Sequence, residues 1–258
     1  MHKKPWRLSQ VTLGDIRDLD PPYQIAVLPI GSTEPHNYHL PYGSDTLQVE
    51  LVADKICESA WKQGARAVVL PAIPYGMNWN LIKFPMTIHM NASTHRAIIS
   101  DVVKSLEAHG IIKLLILNGH GGNELKHIIR ELYAETKIFI AYSDWWNCCA
   151  QKQKKLFKEP GEHAGDMETS ICMELFPDLV KFKQAKHCKV KKSRFDAIND
   201  NSVWITRPWH LLTESSGHGD PRQASSEKGR EFVNAAVEKL SAFIVELARA
   251  DMDEKFPY

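Results

Sequence analysis

Short runs of consecutive apolar residues alternate along the chain with longer stretches in which apolar positions recur every three or four residues. The first pattern is typical of buried parallel strands and the second of amphipathic helices. The runs that predict strands are 25–30 (IAVLPI), 65–73 (ARAVVLPAI), 113–119 (KLLILNG) and 137–144 (KIFIAYSD). The stretches that predict helices are 46–63, 91–110, 124–136, one that begins near Ala164, and 226–250.

Strand–helix–strand units that repeat in this way predict a mainly parallel central sheet covered by helices on both faces. The expected fold class is therefore α/β, with three layers in the order α/β/α. The helix over 91–110 has the clearest ends, because Ser93 or Thr94 can cap its start and Gly110 can end it. No linker, repeat or low-complexity segment divides the chain, so residues 1–258 are predicted to form a single domain.

Two stretches do not fit the alternation. The basic and polar stretch AQKQKKLFKEP (150–160) is interpreted as a solvated loop, and residues 185–222 are interpreted as irregular. Both are treated as excursions from the one domain.

Composition narrows the class of partner. The 258 residues carry 32 Lys and Arg against 31 Asp and Glu, a formal net charge of +1, which gives no support for a nucleic-acid partner. No apolar stretch approaches the roughly 18 residues that span a bilayer, and MHKKPWRLSQ lacks the apolar run of a secretory signal. The five cysteines are odd in number and include the adjacent pair Cys148 and Cys149, which argues against a disulfide framework. We therefore expect a reduced, cytoplasmic setting without a membrane partner.

Polar loops follow three of the predicted strands. GSTEPHNYHLPYGSD (31–45), NGHGGNE (118–124) and SDWWN (143–147) each begin where a strand ends. In parallel α/β sheets, ligands bind outside the carboxyl ends of the strands. The three loops are thus expected at one edge of the sheet.

The first two of these loops carry candidate metal ligands. Glu34 and His36 are two residues apart, so extended backbone directs both side chains the same way. Asp45 ends the same loop, and His120 lies between glycines. Carboxylates and imidazoles suit zinc, manganese or iron. Each residue alone is an ordinary loop residue, and a glycine-rich loop can instead hold a phosphate; their joint occurrence favours a metal site.

A third element, GEHAGDMETS (161–170), begins the next predicted helix. Glu168 either complements the positive end of the helix dipole or binds a metal. His163 is a candidate for proton transfer.

The chain resembles the creatininase (creatinine amidohydrolase) family in several motifs. These are LPIGSTEPHNYHLPYGSD, FPMT (84–87), LNGHGGN (117–123), HAGDMETS (163–170) and SGHGDPRQASSEKGR (216–230). The resemblance covers most of the chain and implies a single α/β/α domain with two divalent metal ions, commonly Zn, Mn or Fe. It also implies a homo-oligomer, often a hexamer, that hydrolyses a carbon–nitrogen bond of a small-molecule substrate.

By motif position, the resemblance assigns metal-ligand roles to four side chains, with the aspartate bridging: Glu34, His36, Asp45 and His120. Members that hydrolyse creatinine carry a further glutamate two residues after the loop histidine, where this chain has Gly122. The resemblance therefore leaves the fifth ligand to Glu168. His163 matches a histidine considered catalytic in the family.

The chain departs from the family pattern around the expected pocket. Leu81 replaces the usual histidine and Met86 the usual glycine, and Asn37 and Tyr38 differ from the usual loop. The bulkier Asn37, Tyr38 and Met86 are expected to reshape the pocket, and the departures together argue against creatinine as substrate. Tyr38 is a predicted substrate-binding residue.

Trp145 is the other predicted substrate-binding residue. Trp145 and Trp146 follow a strand, so the alternation of side chains predicts that only one of the two faces the pocket. The expected reaction is hydrolysis of a small cyclic amide or formamide by a metal-activated water. Two alternatives are hydrolysis of a peptide-like substrate and a metal-binding role without catalysis.

Overall fold

The computed structural model describes residues 4–258; residues 1–3, part of the amino-terminal stretch considered above, lie outside the described residues. Within that range one sheet of parallel strands has the order β2-β1-β3-β4. Its strands are β1 (Ile25–Ile30), β2 (Ala67–Val69), β3 (Lys113–Asn118) and β4 (Phe139–Asp144). The helices are α1 (Leu13–Arg17), α2 (Ser44–Lys62), α3 (Ala92–Ala108), α4 (Lys126–Leu132), α5 (Ala150–Leu156), α6 (Asp166–Leu175), α7 (Asp196–Asn199), α8 (Trp209–Leu212) and α9 (Ser226–Arg249).

Both faces of the sheet are covered by helices, as the alternation predicts. Ile25 and Val27 pack on one face in the same cluster as buried residues of α2 and α9. Ala26 and Leu28 pack on the other face with α3 and α4. Successive side chains of a strand point to opposite faces, so a continuously apolar strand supplies two cores. The three-layer α/β/α class is confirmed, whereas the single-domain extent 1–258 stays a prediction.

The register of the strands brings three strand ends side by side. Ile30 pairs with Asn118, and Asn118 pairs with Asp144. The three polar loops therefore start from neighbouring points, and the prediction of a shared edge is confirmed.

Two element boundaries differ from the predictions. The ladder of β2 stops at Val69, because Pro71 has no N–H to donate. The helix over 91–110 begins at Ala92 with Asn91 as its N-cap, and no side chain caps it. Ser93 and Thr94 therefore lie inside the first turn, and their predicted capping role is wrong.

The predicted solvated loop at 150–160 is also wrong in its first half. Residues Ala150–Leu156 form α5, which contacts α9. Leu156 packs against the core cluster and Phe157 is buried. The apolar pair at the end of a basic stretch anchors the segment, so its lysines cover a packed helix.

Asp54 ties the amino-terminal segment to α2. It accepts hydrogen bonds from Lys4 Nζ (2.5 Å), Trp6 Nε1 (2.8 Å) and Arg7 Nε (2.6 Å). Burial alone would raise the pKa of Asp54, but these three donors hold it below its ordinary value.

Candidate metal centre

The loop between β1 and α2 folds back on itself and presents its acidic and imidazole side chains inward. Glu34 N–H donates to Tyr42 O (3.1 Å) and Leu40 N–H to His36 O (3.3 Å). Asn37 turns the chain with a φ of 55°, a conformation that asparagine tolerates better than most residues. Glu34, His36 and Asp45, at the start of α2, are all buried.

A second loop, after β3, brings His120 to the same place. The Asn118 side chain donates to His120 O (2.8 Å), and the Asn123 side chain donates to Gly31 O (3.2 Å). Gly119 permits the approach, because a Cβ there would lie 2.8 Å from the carbonyl oxygen of Asp45. The two asparagines and the glycine of the NGHGGN motif thus fix the loop against α2.

Two groups of potential ligands share Asp45. His120 Nδ1 lies 3.0 Å from Asp45 Oδ2 and 3.3 Å from Glu34 Oε1. His36 Nε2 lies 3.1 Å from Asp45 Oδ1 and 3.3 Å from Glu168 Oε1. In each group the ligand atoms lie within 4.8 Å of one another. Each oxygen of Asp45 therefore belongs to a different group.

The backbone fixes Nδ1 of His36 as a hydrogen-bond donor. Nδ1 lies 3.0 Å from the carbonyl oxygen of Glu34, and a carbonyl only accepts. Asp45 and Glu168, which lie beside Nε2, can only accept, so Nε2 would offer a lone pair only to a metal ion that displaces its proton, while Nδ1 keeps its own proton for the carbonyl of Glu34. A histidine that binds metal typically donates its other N–H in this way.

Both groups suit divalent cations. Three carboxylates, from Glu34, Asp45 and Glu168, meet in a buried space, and Glu34 Oε2 has no hydrogen-bond partner. Burial alone would lower the pKa of His120, yet Glu34 and Asp45 raise it to about 10. Likewise Glu168 and Asp45 raise the pKa of His36 well above its ordinary value. The cluster thus attracts positive charge, and its O and N donors fit Zn, Mn or Fe.

The position of Glu168 agrees with both roles that the sequence leaves open, one at the start of a helix and one as a metal ligand. It lies in the first turn of α6, and its Oε2 accepts the N–H of Ala164 (2.6 Å) at the start of that helix. Its Oε1 faces His36. Burial would raise the pKa of Glu168, but His36 lowers it to about 2. One oxygen therefore stabilises the helix start while the other faces the ligand cluster.

Gly122 has no room for a ligand side chain. A Cβ at this position would lie 2.4 Å from His120 Nε2 and 2.8 Å from the carbonyl oxygen of Met77. Both distances are shorter than real Cβ contacts. A glutamate at position 122 would therefore require His120 to move, which favours Glu168 as the additional carboxylate in this chain.

His163 lies beside the cluster with a fixed ring. Its Nε2 donates to Pro35 O (2.9 Å), so the other ring nitrogen, Nδ1, faces the cluster and lies 3.7 Å from Glu34 Oε1. The ring stacks on His36 with centroids 4.3 Å apart, and Trp209 contacts it edge-on at 5.2 Å. His163 Nδ1 is thus the atom that can accept or return a proton at the site.

His39 is held away from the cluster. Its Nε2 lies 2.8 Å from Thr169 Oγ1 of α6, and burial lowers its pKa to about 4. His39 therefore supports the loop and remains neutral at pH 7.

A cavity of about 640 Å³ opens from the cluster. We call its buried side the inner end, formed by the side chains Glu34, Asp45, His120, His163 and Glu168. We call its exposed side the outer end, formed by the side chains Trp79, His89, Trp204, Ile205 and Arg207. Trp145 and Trp146 both line the same cavity. The prediction that only one of them faces it is wrong, because the segment Trp145–Asn147 is a 3₁₀ helix and not extended strand.

The predicted substrate contact of Tyr38 is not supported by its position. Tyr38 lies at the tip of the turn between His36 and Leu40, is half exposed, and faces Lys186 with 4.7 Å between Nζ and the ring centroid. It does not line the cavity. The positive φ of Asn37 directs the chain outward at this point.

The other expected reshaping residues lie outside the cavity too. Asn37 is buried and donates from Nδ2 to Lys186 O (2.9 Å), so it braces the loop. Met86 is 76% exposed. Of the four departures from the family pattern, only Leu81 lines the cavity.

Residues from the irregular segment complete the cavity, and sequence reasoning missed them. Arg207 Nη1 lies 3.0 Å from Glu162 Oε2, and His218 Nδ1 lies 2.6 Å from the same oxygen. Arg207 also lies over the ring of Trp209. Glu162 is exposed in part, and hydrogen bonds from His218 and Arg207 lower its pKa to about 2 although partial desolvation acts in the opposite direction. The one available signal was SGHGDPRQ, which contains His218.

The fold and these donors together define an α/β protein with a candidate centre for two divalent cations. The family described as creatininase (creatinine amidohydrolase) matches residues 9–244. The chain therefore belongs to the creatininase family, whose members are metal-dependent amidohydrolases. Among residues 4–258, no helix is both long and apolar enough to cross a membrane.

Curated relatives differ in the substrates that their names give. A creatinine amidohydrolase from Pseudomonas putida is 27% identical, with 86% of this chain and 89% of that protein covered. A mycofactocin precursor peptide peptidase from Mycobacterium ulcerans (strain Agy99) is 24% identical, with 93% of this chain and 94% of that protein covered. A 3-dehydro-scyllo-inosose hydrolase from Thermotoga maritima is 27% identical, with 96% and 83% covered.

Solved structures share the fold over nearly the whole chain. One from Bacteroides fragilis NCTC 9343, provisionally assigned as a creatinine amidohydrolase, is 37% identical with a TM-score of 0.89. It covers 98% of this chain and 100% of its own. A creatininase solved with Mn is 22% identical with a TM-score of 0.79, over 96% of this chain and 100% of its own. At this level of identity the similarity shows a common fold.

Proposed function

We propose that this protein hydrolyses a carbon–nitrogen bond of a small cyclic amide or formamide, using two divalent metal ions, Zn or Mn first and Fe as a further candidate. One observation carries the proposal. The two oxygens of Asp45 face two separate imidazole nitrogens, each with a further carboxylate beside it. A carboxylate shared by two ligand groups suits a pair of cations better than a single ion.

Five side chains would hold the ions: Glu34, Asp45 and His120 in one group, and His36, Asp45 and Glu168 in the other. Bound divalent ions would acidify a water molecule and polarise the substrate carbonyl oxygen. Glu34 backbone O accepts from Nδ1 of His36 and so keeps Nε2 directed inward. Burial of the cluster excludes bulk water, which strengthens every electrostatic contact within it.

His163 supplies the proton transfer in this proposal. Pro35 O holds Nε2, and Trp209 buttresses the ring from its edge. Nδ1 then takes a proton during attack and returns it to the departing nitrogen. Proton transfer of this kind typically contributes about 10²- to 10⁴-fold to the rate.

The experiment measures metal content and turnover together. Purified protein loaded separately with Zn, Mn and Fe is assayed with creatinine, other cyclic amides, formamides and short peptides. We expect His163→Ala to lower kcat by about 10²- to 10⁴-fold while the metal content per chain stays at the wild-type value. Undiminished activity in that variant would remove His163 from the mechanism.

The same panel separates the alternatives. Cleavage of peptides alone would favour a peptidase, which the open outer end of the cavity permits. Metal binding without turnover of any class would favour a non-catalytic role. Homo-oligomer formation and a cytoplasmic location stay predictions, which light scattering and cell fractionation would test.

A further inference from the structure

We infer that the outer end of the cavity binds an uncharged aromatic group of the substrate, attached beside the bond that is cleaved at the inner end. The inference rests on the proposed function and names the class of substrate more narrowly. It follows from where the tryptophans lie, from how one of them is held, and from the charge of the cavity wall.

Tryptophan is concentrated in the cavity. The chain has seven tryptophans, and the five that line the cavity are Trp79, Trp145, Trp146, Trp204 and Trp209. Trp145 is buried, but Trp79 is 61% and Trp204 77% exposed, which is unusual for a residue that is highly buried on average. An indole left open to water beside a cavity retains a large apolar area for a ligand to cover.

Trp79 is held as a preformed flat surface. One face of the indole packs against the tilted ring of His89, with ring centroids 4.6 Å apart and an interplanar angle of 34°. His89 is itself fixed, because Nδ1 accepts the N–H of Asn78 (2.9 Å) and Nε2 donates to Asn91 Oδ1 (2.9 Å). Asn78 is fully buried and its side chain donates to Ser32 Oγ (2.7 Å). One face of the indole is thus supported, and little entropy is lost when a ring stacks on it.

Trp204 belongs to the irregular segment but is flanked by fixed points. Val203 N–H donates to Ala197 O (2.8 Å), and Arg207 is paired with Glu162. The backbone on both sides of the indole is therefore anchored, while the ring itself stays exposed. It offers a second aromatic surface to the same cavity.

The charge of the outer end disfavours an anionic group there. Among the cavity-lining residues that the structure describes, Arg207 is the only lysine or arginine, and Glu162 occupies its guanidinium with two contacts. A carboxylate or phosphate bound at the outer end would find no unpaired lysine or arginine side chain there among residues 4–258. A neutral ring needs no cationic partner, and stacking and burial of its apolar surface would stabilise its binding.

The size of the cavity agrees with a two-part substrate. A volume of about 640 Å³ is in the range that encloses a drug-sized ligand, roughly 300–1,000 Å³. An amide at the inner end would leave the outer end for a second group. The two parts of the substrate thus match the two ends of the cavity.

The experiment compares three substrates in the metal-loaded protein. They are N-benzylformamide, N-methylformamide and 4-(formamidomethyl)benzoate, which differ in the ring and in its charge. We expect Trp79→Ala to reduce the ratio of kcat/KM for the benzyl over the methyl substrate about tenfold, mostly through KM. We expect Trp79→Phe to keep most of that ratio, and the wild type to prefer the neutral benzyl substrate to the benzoate.

Tyr133→Ala is the matched control, because Tyr133 is 86% exposed and does not line the cavity. Its substrate ratio should equal that of the wild type. An unchanged ratio in both Trp79→Ala and Trp204→Ala would overturn the inference. A second result would also overturn it: Trp204→Ala protein that forms a smaller species in light scattering and keeps the benzyl preference. The surface around Trp204 would then join copies of the chain instead of binding substrate.

Calorimetric titration with N-benzylformamide separates this inference from the proposed function. If no formamide is hydrolysed but Trp79→Ala weakens this binding about tenfold, the proposed reaction fails and the aromatic site stands. If formamides are hydrolysed without any benzyl preference, the reaction stands and the aromatic site fails.

Discussion

Helix α2 carries two buried aspartates with different partners. Asp45 and Asp54 lie about two and a half turns apart and are 3% and 4% exposed. Asp54 accepts hydrogen bonds from three donors of the amino-terminal segment. Asp45 instead shares its two ligand groups with Glu34 and Glu168, and both of its oxygens face imidazole nitrogens.

The difference shows that burial alone does not mark a functional carboxylate. A buried charge is stable when donors satisfy it, which is the structural role of Asp54. A buried carboxylate placed with further acids and with imidazole nitrogens instead favours bound positive charge, either protons on those imidazoles or a metal ion. The partners of a buried carboxylate therefore identify its role. Replacing each of the two aspartates by asparagine, which has nearly the same shape, separates the two roles.

Asp45→Asn should have the largest effect on activity. Because both ligand groups lose a shared charged oxygen, we expect metal content to fall from two ions per chain to near none. Turnover should fall by at least about 10³-fold. Elemental analysis of the purified variant and the substrate panel measure both.

Asp101→Asn is the control, because Asp101 is an exposed residue of α3. It should retain the metal and the activity of the wild type. An Asp45→Asn protein that keeps two ions and full turnover would remove Asp45 from the centre.

Asp54→Asn should affect folding and leave the chemistry in place. It removes the charge that Lys4 and Arg7 share, at a cost of about 2 kcal/mol in the free energy of unfolding. Urea denaturation measures this cost. At a temperature where the variant is folded, kcat should match the wild type, and a kcat loss as large as that of Asp45→Asn would erase the distinction between the two aspartates.

A smaller effect concerns pH. The pKa of Asp54 is lowered in the folded protein, so its stabilisation is fully present above the unfolded pKa of about 3.9 and is lost as pH falls through the folded value. The difference in unfolding free energy between wild type and Asp54→Asn should thus be constant from pH 7 to 5 and shrink below about pH 4. A difference that persists unchanged at pH 2 would show that the charge of Asp54 is not its source.

The centre could be predicted from sequence to the extent that it depends on short-range patterns. Strands of consecutive apolar residues place the loops 31–45 and 118–124 at one edge, and the family resemblance points to their ligands. The resemblance also assigns a ligand role to Glu168, but the contacts of Glu168 with His36 and Gln48, which are distant in the chain, appear only in the folded structure. The collision of a side chain at Gly122 with His120 is visible only in three dimensions.

The sequence by itself determined the three-layer fold, the edge that carries the chemistry and the kinds of donor atoms there. Only the tertiary structure decided that Tyr38 points away, that both Trp145 and Trp146 line the cavity, and that Trp204 and Arg207 complete its outer end. Hydrophobic periodicity is a local property, so it fixes elements and their buried faces. In irregular backbone the direction of a side chain depends on individual φ values and on long-range hydrogen bonds, such as that of the Asn37 side chain to Lys186 O. These contacts exist only after the chain has folded, and no period in the sequence encodes them.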